Sequence, residues 1–212
     1  MLSNIITLLA ATTLIAGTGD YAVHYEMREL PMSYEELVEE ATFACPYRKW
    51  QDVDEKLLWK LVDIEKKYNV PDDMRGMILA AACMESGYNP TAKGDYRKGK
   101  KKRVAKAVGI LQLWPWYERA TKRGGYAIDR KDPAQAAEAW ISHIVKQIPK
   151  VKNKCGFKNE TRIWMAAWAY GVRYPKPEGR CYDRVRHLKV LKKWHKNIKR
   201  IRKRSQNDGD GC

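Results

Sequence analysis

In the stretch ILAAACMESGYNP, residues 78–90, a run of small apolar side chains ends in a carboxylate, Glu85, just before Gly87. Met74, Met77, Ile78, Ala81 and Glu85 recur at steps of three and four, which puts them on one face of a helix running from about Asp72 to Ser86. Gly87 is a natural stop for that helix. Desolvation along the stripe and the negative end of the helix dipole both disfavour an anion. The spacing therefore predicts a carboxyl that holds its proton, as a general acid must. The plain alternatives are a helix-end Glu that curls into water, or one matched by a nearby Arg or Lys.

Other chemistry-bearing residues are sparse. His24, His143, His187 and His195 are scattered, with no H-E-x-x-H spacing, and neither a phosphate-binding Gly loop nor a G-x-S-x-G turn is present. The sequence thus implies no metal and no cofactor. Asp95, in KGDY, is a second carboxylate after Glu85; it either holds a water or is a solvated charge between Lys93 and Arg97. Trp114 and Trp116 flank Pro115 and one of them can line a cleft, whereas Trp164 and Trp168, at helical spacing, read as core.

The elements that must position these residues are helices. Ser33 to Glu36 (SYEE) forms a capping box. A helix over Asp54–Tyr68 carries Leu57, Leu58, Leu61, Val62 and Ile64 on one side and ends before Pro71. Asp132 and Pro133 open a helix in DPAQAAEAWISHIVKQI, and NETRIWMAAWAYGV reads as another. KGDYRKGKKKRVAK reads as a long polar, mobile loop, and no strand is expected beyond short pieces. A last helix runs from Tyr182 towards Arg204, with Val185, Leu188, Leu191, Trp194, His195 and Ile198 on one side and a dense Lys/Arg array on the other; the final SQNDGDGC reads as an unstructured tail. The fold class is all-α.

The ordered set of motifs resembles the soluble lytic transglycosylases of the lysozyme-like superfamily. Glu85-Ser86 with Asn89-Pro90 matches that family's first block, Gly109, Leu111 and Gln112 its Gly-Leu-x-Gln block, and Met165 to Tyr170 its third. The resemblance covers about residues 55–175. It implies a lysozyme-like helical domain that binds peptidoglycan strands and cleaves the MurNAc-GlcNAc β-1,4 bond. Glu85 would serve as both acid and base, and the muramic 6-hydroxyl would attack to leave a 1,6-anhydro end. It further implies that Ser86 and Gln112 position substrate, that Gly109 lets sugar and backbone approach, that Leu111 belongs to the substrate site, and that Tyr170 brings its hydroxyl near Glu85. Where the family has Tyr-Asn, this chain has Tyr170-Gly171. The competing readings are a hydrolytic muramidase, in which Asp95 holds the water as in goose-type lysozymes, and an inactive basic protein that binds membrane, cell-wall polyanion or nucleic acid.

Composition frames these readings. The chain has 212 residues and a formal charge of +16, which favours polyanionic partners such as anionic cell-surface polymers through the basic last helix. Residues 1–22 read as a signal peptide, 23–54 as a helical extension, 55–176 as the catalytic domain and 177–212 as the basic helix and tail. An exported, periplasmic or secreted protein, bacterial or phage-associated, can form disulfides. Of the five cysteines, Cys155 and Cys181 are the expected pair because they bracket one helix and its turn; Cys83 reads as an inert core thiol and Cys212 as the odd one.

Overall fold

A computed structural model describes residues 32–47, 53–98, 103–119, 125–172, 181 and 187–209. The signal-peptide reading of residues 1–22 lies outside the described residues. Helix α1 (Tyr34–Ala44) starts with the expected capping box. The Glu36 amide donates to Ser33 Oγ at 3.2 Å, and the Ser33 amide donates to Glu36 Oε2 at 2.8 Å. Helix α2 (Glu55–Glu65) is capped by Asp54 and buries Leu58, Leu61, Val62 and Ile64 on the expected side.

The helix expected from Asp72 is broken in two. A 3-10 turn at Asp72–Met74 leads to Gly76 at φ 85°, and α3 (Met77–Ser86) starts after it. A Cβ at Gly76 would sit 3.2 Å from a Leu37 methyl, so both the left-handed backbone and the close packing favour glycine there. Glu65, fully buried at the end of α2, then caps α3 from outside. Its Oε1 accepts the Gly76 amide at 2.6 Å and its Oε2 accepts the Ile78 amide at 2.9 Å. These are helix-start donors that would otherwise be unmatched. Burial pushes the Glu65 carboxyl up to about 7, against the pull of those two amides and the Tyr34 hydroxyl.

Helix α3 is buried on every side from Met77 to Cys83, so it is a central helix and not one with a single apolar stripe. Helices α4 (Pro133–Val145), α5 (Ile148–Cys155) and α6 (Glu160–Val172) follow, with Asp132 capping α4 through the amides of Ala134 and Gln135. Trp140 of α4 meets Trp168 of α6 edge to face, ring centroids 5.5 Å apart. Helix α7 (Leu188–Gly209) lays Leu188, Leu191, Trp194 and Ile198 into the core against α1 and α3. Arg202 pairs with Glu36, and Asn197 donates to Glu40 at 2.8 Å, which fixes its register on α1. The helix continues through Ser205 to Gly209, so that part of the expected tail is ordered helix. Among the described residues no helix is long and apolar enough to cross a membrane.

Two further sequence expectations fail. The polar segment after Glu85 is an antiparallel hairpin, β1 (Lys93–Lys98) paired with β2 (Arg103–Val108) in the register Lys93 to Val108 through Lys98 to Arg103. It pairs through its backbone with little apolar burial, since Tyr96, Arg97 and Val104 stay exposed. Cys83 is not an inert thiol: it is bonded to Cys45, the residue that ends α1, with Cα atoms 5.8 Å apart. The expected pair Cys155–Cys181 is also formed. Each closes a loop of the length at which a crosslink stabilises by roughly 3–4 kcal/mol through the unfolded chain. Cys45–Cys83 ties α1 to the helix that carries Glu85, and Cys155–Cys181 anchors the chain six residues before His187.

Candidate active site

Glu85 lies in the last turn of α3, where that buried helix reaches the surface. Its side chain is 37% exposed, so it reaches solvent instead of staying enclosed along the stripe. Its Oε1 lies 2.6 Å from His187 Nε2. His187 stands immediately before α7, and its carbonyl accepts from the amides of Val190 and Leu191, so it opens that helix. The imidazole is buried and stacks on Trp168, ring centroids 5.4 Å apart and planes 7° from parallel.

Ser86 is a tie between elements. Its hydroxyl donates to Ile110 O at 2.8 Å and to Ala82 O at 3.2 Å, so it joins the end of α3 to the Gly109–Gln112 turn. Within that turn Gly109 has φ 81°, and a Cβ there would lie 2.0 Å from the Arg130 carbonyl. A side chain at Gly109 would thus run into the Arg130 backbone, so packing requires glycine there. Leu111 is a core residue, 4% exposed. Gln112 is at φ 48° and half-buried; its Nε2 donates to Gly109 O at 2.9 Å, which leaves its oxygen beside Gly94 of β1. The amide closes its own turn and braces the hairpin.

Asp95 is on β1 at φ 46°, exposed, and accepts from Trp114 Nε1 at 3.2 Å. It is fixed to a strand and not carried on a mobile loop, and Trp114 is 40% exposed beside it. Trp116 instead joins Tyr117, Tyr126 and His143 in an aromatic cluster. Trp164 and Trp168 are buried, as expected. Tyr170 lies in α6; its side chain is outside the described residues.

Three supports of the site carry no plain mark in the sequence. Arg130 is 7% exposed and donates to Lys106 O and Leu113 O, both at 2.7 Å, with its Nε 2.8 Å from a Glu118 carboxylate oxygen. It clamps β2 to Leu113, the residue after the Gly109–Gln112 turn, and no pattern in the sequence marks it out. Glu65 breaks its helix's apolar side between Ile64 and Lys66, a signal visible only once its partners are known. His187 is one of four scattered histidines, 102 residues from Glu85.

Neither the curated proteins nor the solved structures include one that matches this chain. The family model described as Transglycosylase SLT domain matches residues 63–172. That span holds Glu85, Ser86, the Gly109–Gln112 turn and Tyr170, and stops before His187 and α7. SLT domains are lysozyme-like and act on peptidoglycan in the general manner of lytic transglycosylases. Because the match spans more than half of the sequence, the chain belongs to the transglycosylase SLT domain family.

Proposed function

We propose that the protein is an exported lytic transglycosylase that cleaves the MurNAc-GlcNAc β-1,4 bond with Glu85 as its acid and base. The observation that carries this reading is the place of Glu85: a solvent-open carboxylate at the end of a fully buried helix, inside the matched domain. A rigid base and an accessible tip are what proton transfer to a bound sugar requires. In the first half of the reaction Glu85 gives its proton to the glycosidic oxygen, and the bond from that oxygen to the muramic C1 breaks. In the second half the carboxylate takes the proton of the muramic 6-hydroxyl as that oxygen bonds to C1. The ring closes as a 1,6-anhydro sugar, and no water enters.

Ser86 and Gln112 support this site by fixing the Gly109–Gln112 turn against α3, a structural role in place of direct sugar contact. Gly109 serves by letting the Arg130 carbonyl pack against the turn, and Leu111 serves from the core. Tyr170 is kept as a substrate-site residue on the motif alone. Asp95 is held by Trp114, which supports a structural role over a role as water-holding base. Asp95→Asn is accordingly expected to change the cleavage rate by no more than a few-fold. Mass spectrometry of digested peptidoglycan should find muropeptides lighter by one water. Products that all carry the water, together with a loss of about 10²-fold or more in Asp95→Asn, would identify a hydrolase instead.

The cationic face of α7 supports a second contact. Lys189, Lys192, Lys193, Lys196, Arg200 and Lys203 are all exposed on the side away from the core. Such a face suits phosphate-bearing polymers attached to the wall. Co-sedimentation with intact walls should weaken as salt rises. It should weaken likewise in the triple variant Lys192→Glu, Lys196→Glu, Lys203→Glu, and in walls stripped of phosphate polymers. Equal binding to stripped walls would count against the polymer.

A further inference from the structure

The residue that holds Glu85 comes from outside the matched domain, and the geometry points to His187 as a positioning residue for the catalytic proton. The inference rests on Glu85 being the acid. Four observations support it. His187 Nε2 is 2.6 Å from Glu85 Oε1. The ring is fixed face to face on Trp168, which is itself fully buried and braced edge-on by Trp140. The His187 side chain is 6% exposed while that of Glu85 is 37% exposed, so the histidine lies behind the carboxylate, on its protein side. Nδ1 of the same ring is buried with no hydrogen-bond partner among the described residues.

That unmatched nitrogen decides which proton the ring carries. Of the two neutral tautomers, one buries an N–H at Nδ1 with no acceptor, and the other buries only a lone pair there. An orphaned N–H is the rarer and costlier of the two. The imidazolium and the favoured neutral tautomer both carry a proton on Nε2, so Nε2–H donates to Glu85 Oε1. With Oε1 engaged as an acceptor, the proton that Glu85 gives to a glycosidic oxygen is carried on Oε2. The hydrogen bond also stops the carboxyl from rotating about its last bond, so the donor direction is set before substrate arrives.

His187 transfers no proton to substrate in this account; it fixes which oxygen does. The delivery of His187 is itself structural. The Cys155–Cys181 bond holds the chain six residues upstream, and Leu188 and Leu191, buried just downstream, seat the start of α7. The segment after the matched domain thus completes the site that the matched domain begins.

Two substitutions separate the hydrogen bond from the packing. His187→Phe keeps a ring on Trp168 and removes the donor. His187→Gln keeps an N–H donor at nearly the same reach and removes the ring. On a soluble peptidoglycan oligosaccharide of defined length, His187→Phe is expected to lower kcat by about 10–100-fold with KM and melting temperature close to wild type. His187→Gln is expected to recover to within about tenfold of wild type even if it melts lower. Wild-type kcat in His187→Phe overturns the proposal, as does a folded His187→Gln no better than His187→Phe. Should His187→Gln fail to fold, the kcat of His187→Phe decides alone. Glu85→Gln is run alongside: cleavage by that variant would show that the assignment of Glu85, and not only that of His187, is wrong.

Discussion

Replacing Glu85 with Gln is expected to lower glycan cleavage by about 10²–10⁴-fold, the usual scale for removing a group that both donates and accepts the transferred proton. The substitution is nearly isosteric, and the side chain is partly exposed, so no core contact is lost. The amide can still accept from His187 Nε2 through its oxygen. Melting temperature and near-ultraviolet spectrum should therefore match the wild type while zymogram clearing disappears. If the variant clears peptidoglycan at the wild-type rate, Glu85 is not the acid; if neither wild type nor variant clears it, the inactive basic-binding reading becomes the stronger one. That pair of results separates a wrong residue from a wrong function.

The second large effect concerns stability and sits at Glu65. Its carboxyl is raised from the ordinary 4.5 to about 7 by burial, with the amides of Gly76 and Ile78 pulling the other way. The sign follows from which state keeps the proton. Below about pH 4.5 the folded and unfolded chains both carry it. As pH rises from 4.5 to 7 the unfolded chain ionises first, and the favourable share of Glu65 is lost progressively; above 7 both forms are ionised and the loss is complete. The shift corresponds to roughly 3 kcal/mol. Glu65→Gln removes this titration, so the difference in unfolding free energy, wild type minus variant, should fall by about that amount between pH 4 and pH 8. Denaturant unfolding of both proteins across that range measures it. A difference that does not move with pH would show that Glu65 is not the buried titrating group.

The site was legible in the sequence where its logic is local. The Gly87 stop just after Glu85 and the Asp132-Pro133 start are each decided within a turn or two, and each is where it was expected. What failed depends on distant partners. Whether Met77 to Cys83 shows one apolar face or is enclosed altogether depends on α1, α2 and α7 packing around it. The break at Gly76 depends on Leu37 and Glu65, both far away in sequence. The hairpin was hidden because its strands carry charge on both faces, so no period of two survives in the pattern. Cys45–Cys83 could not be chosen among five cysteines by spacing, and a lone histidine in a basic segment gives no sign that it meets a carboxylate 102 residues earlier.

The seating of α7 has a consequence for the order of events during synthesis. A chain leaves the ribosome amino end first, and its folding follows the same direction where contacts are local. Here Glu85 emerges early, yet Trp194 and Ile198, which close the core beside α3, emerge more than 100 residues later, and His187 only shortly before them. A growing chain that already holds Glu85 has an open wall along α1 and α3 and no imidazole behind Oε1. The same holds for any fragment cut short of residue 187. On the proposed roles of Glu85 and His187, a translating or truncated copy is expected to cut glycan poorly, and full activity would arrive as one of the last steps in making the molecule.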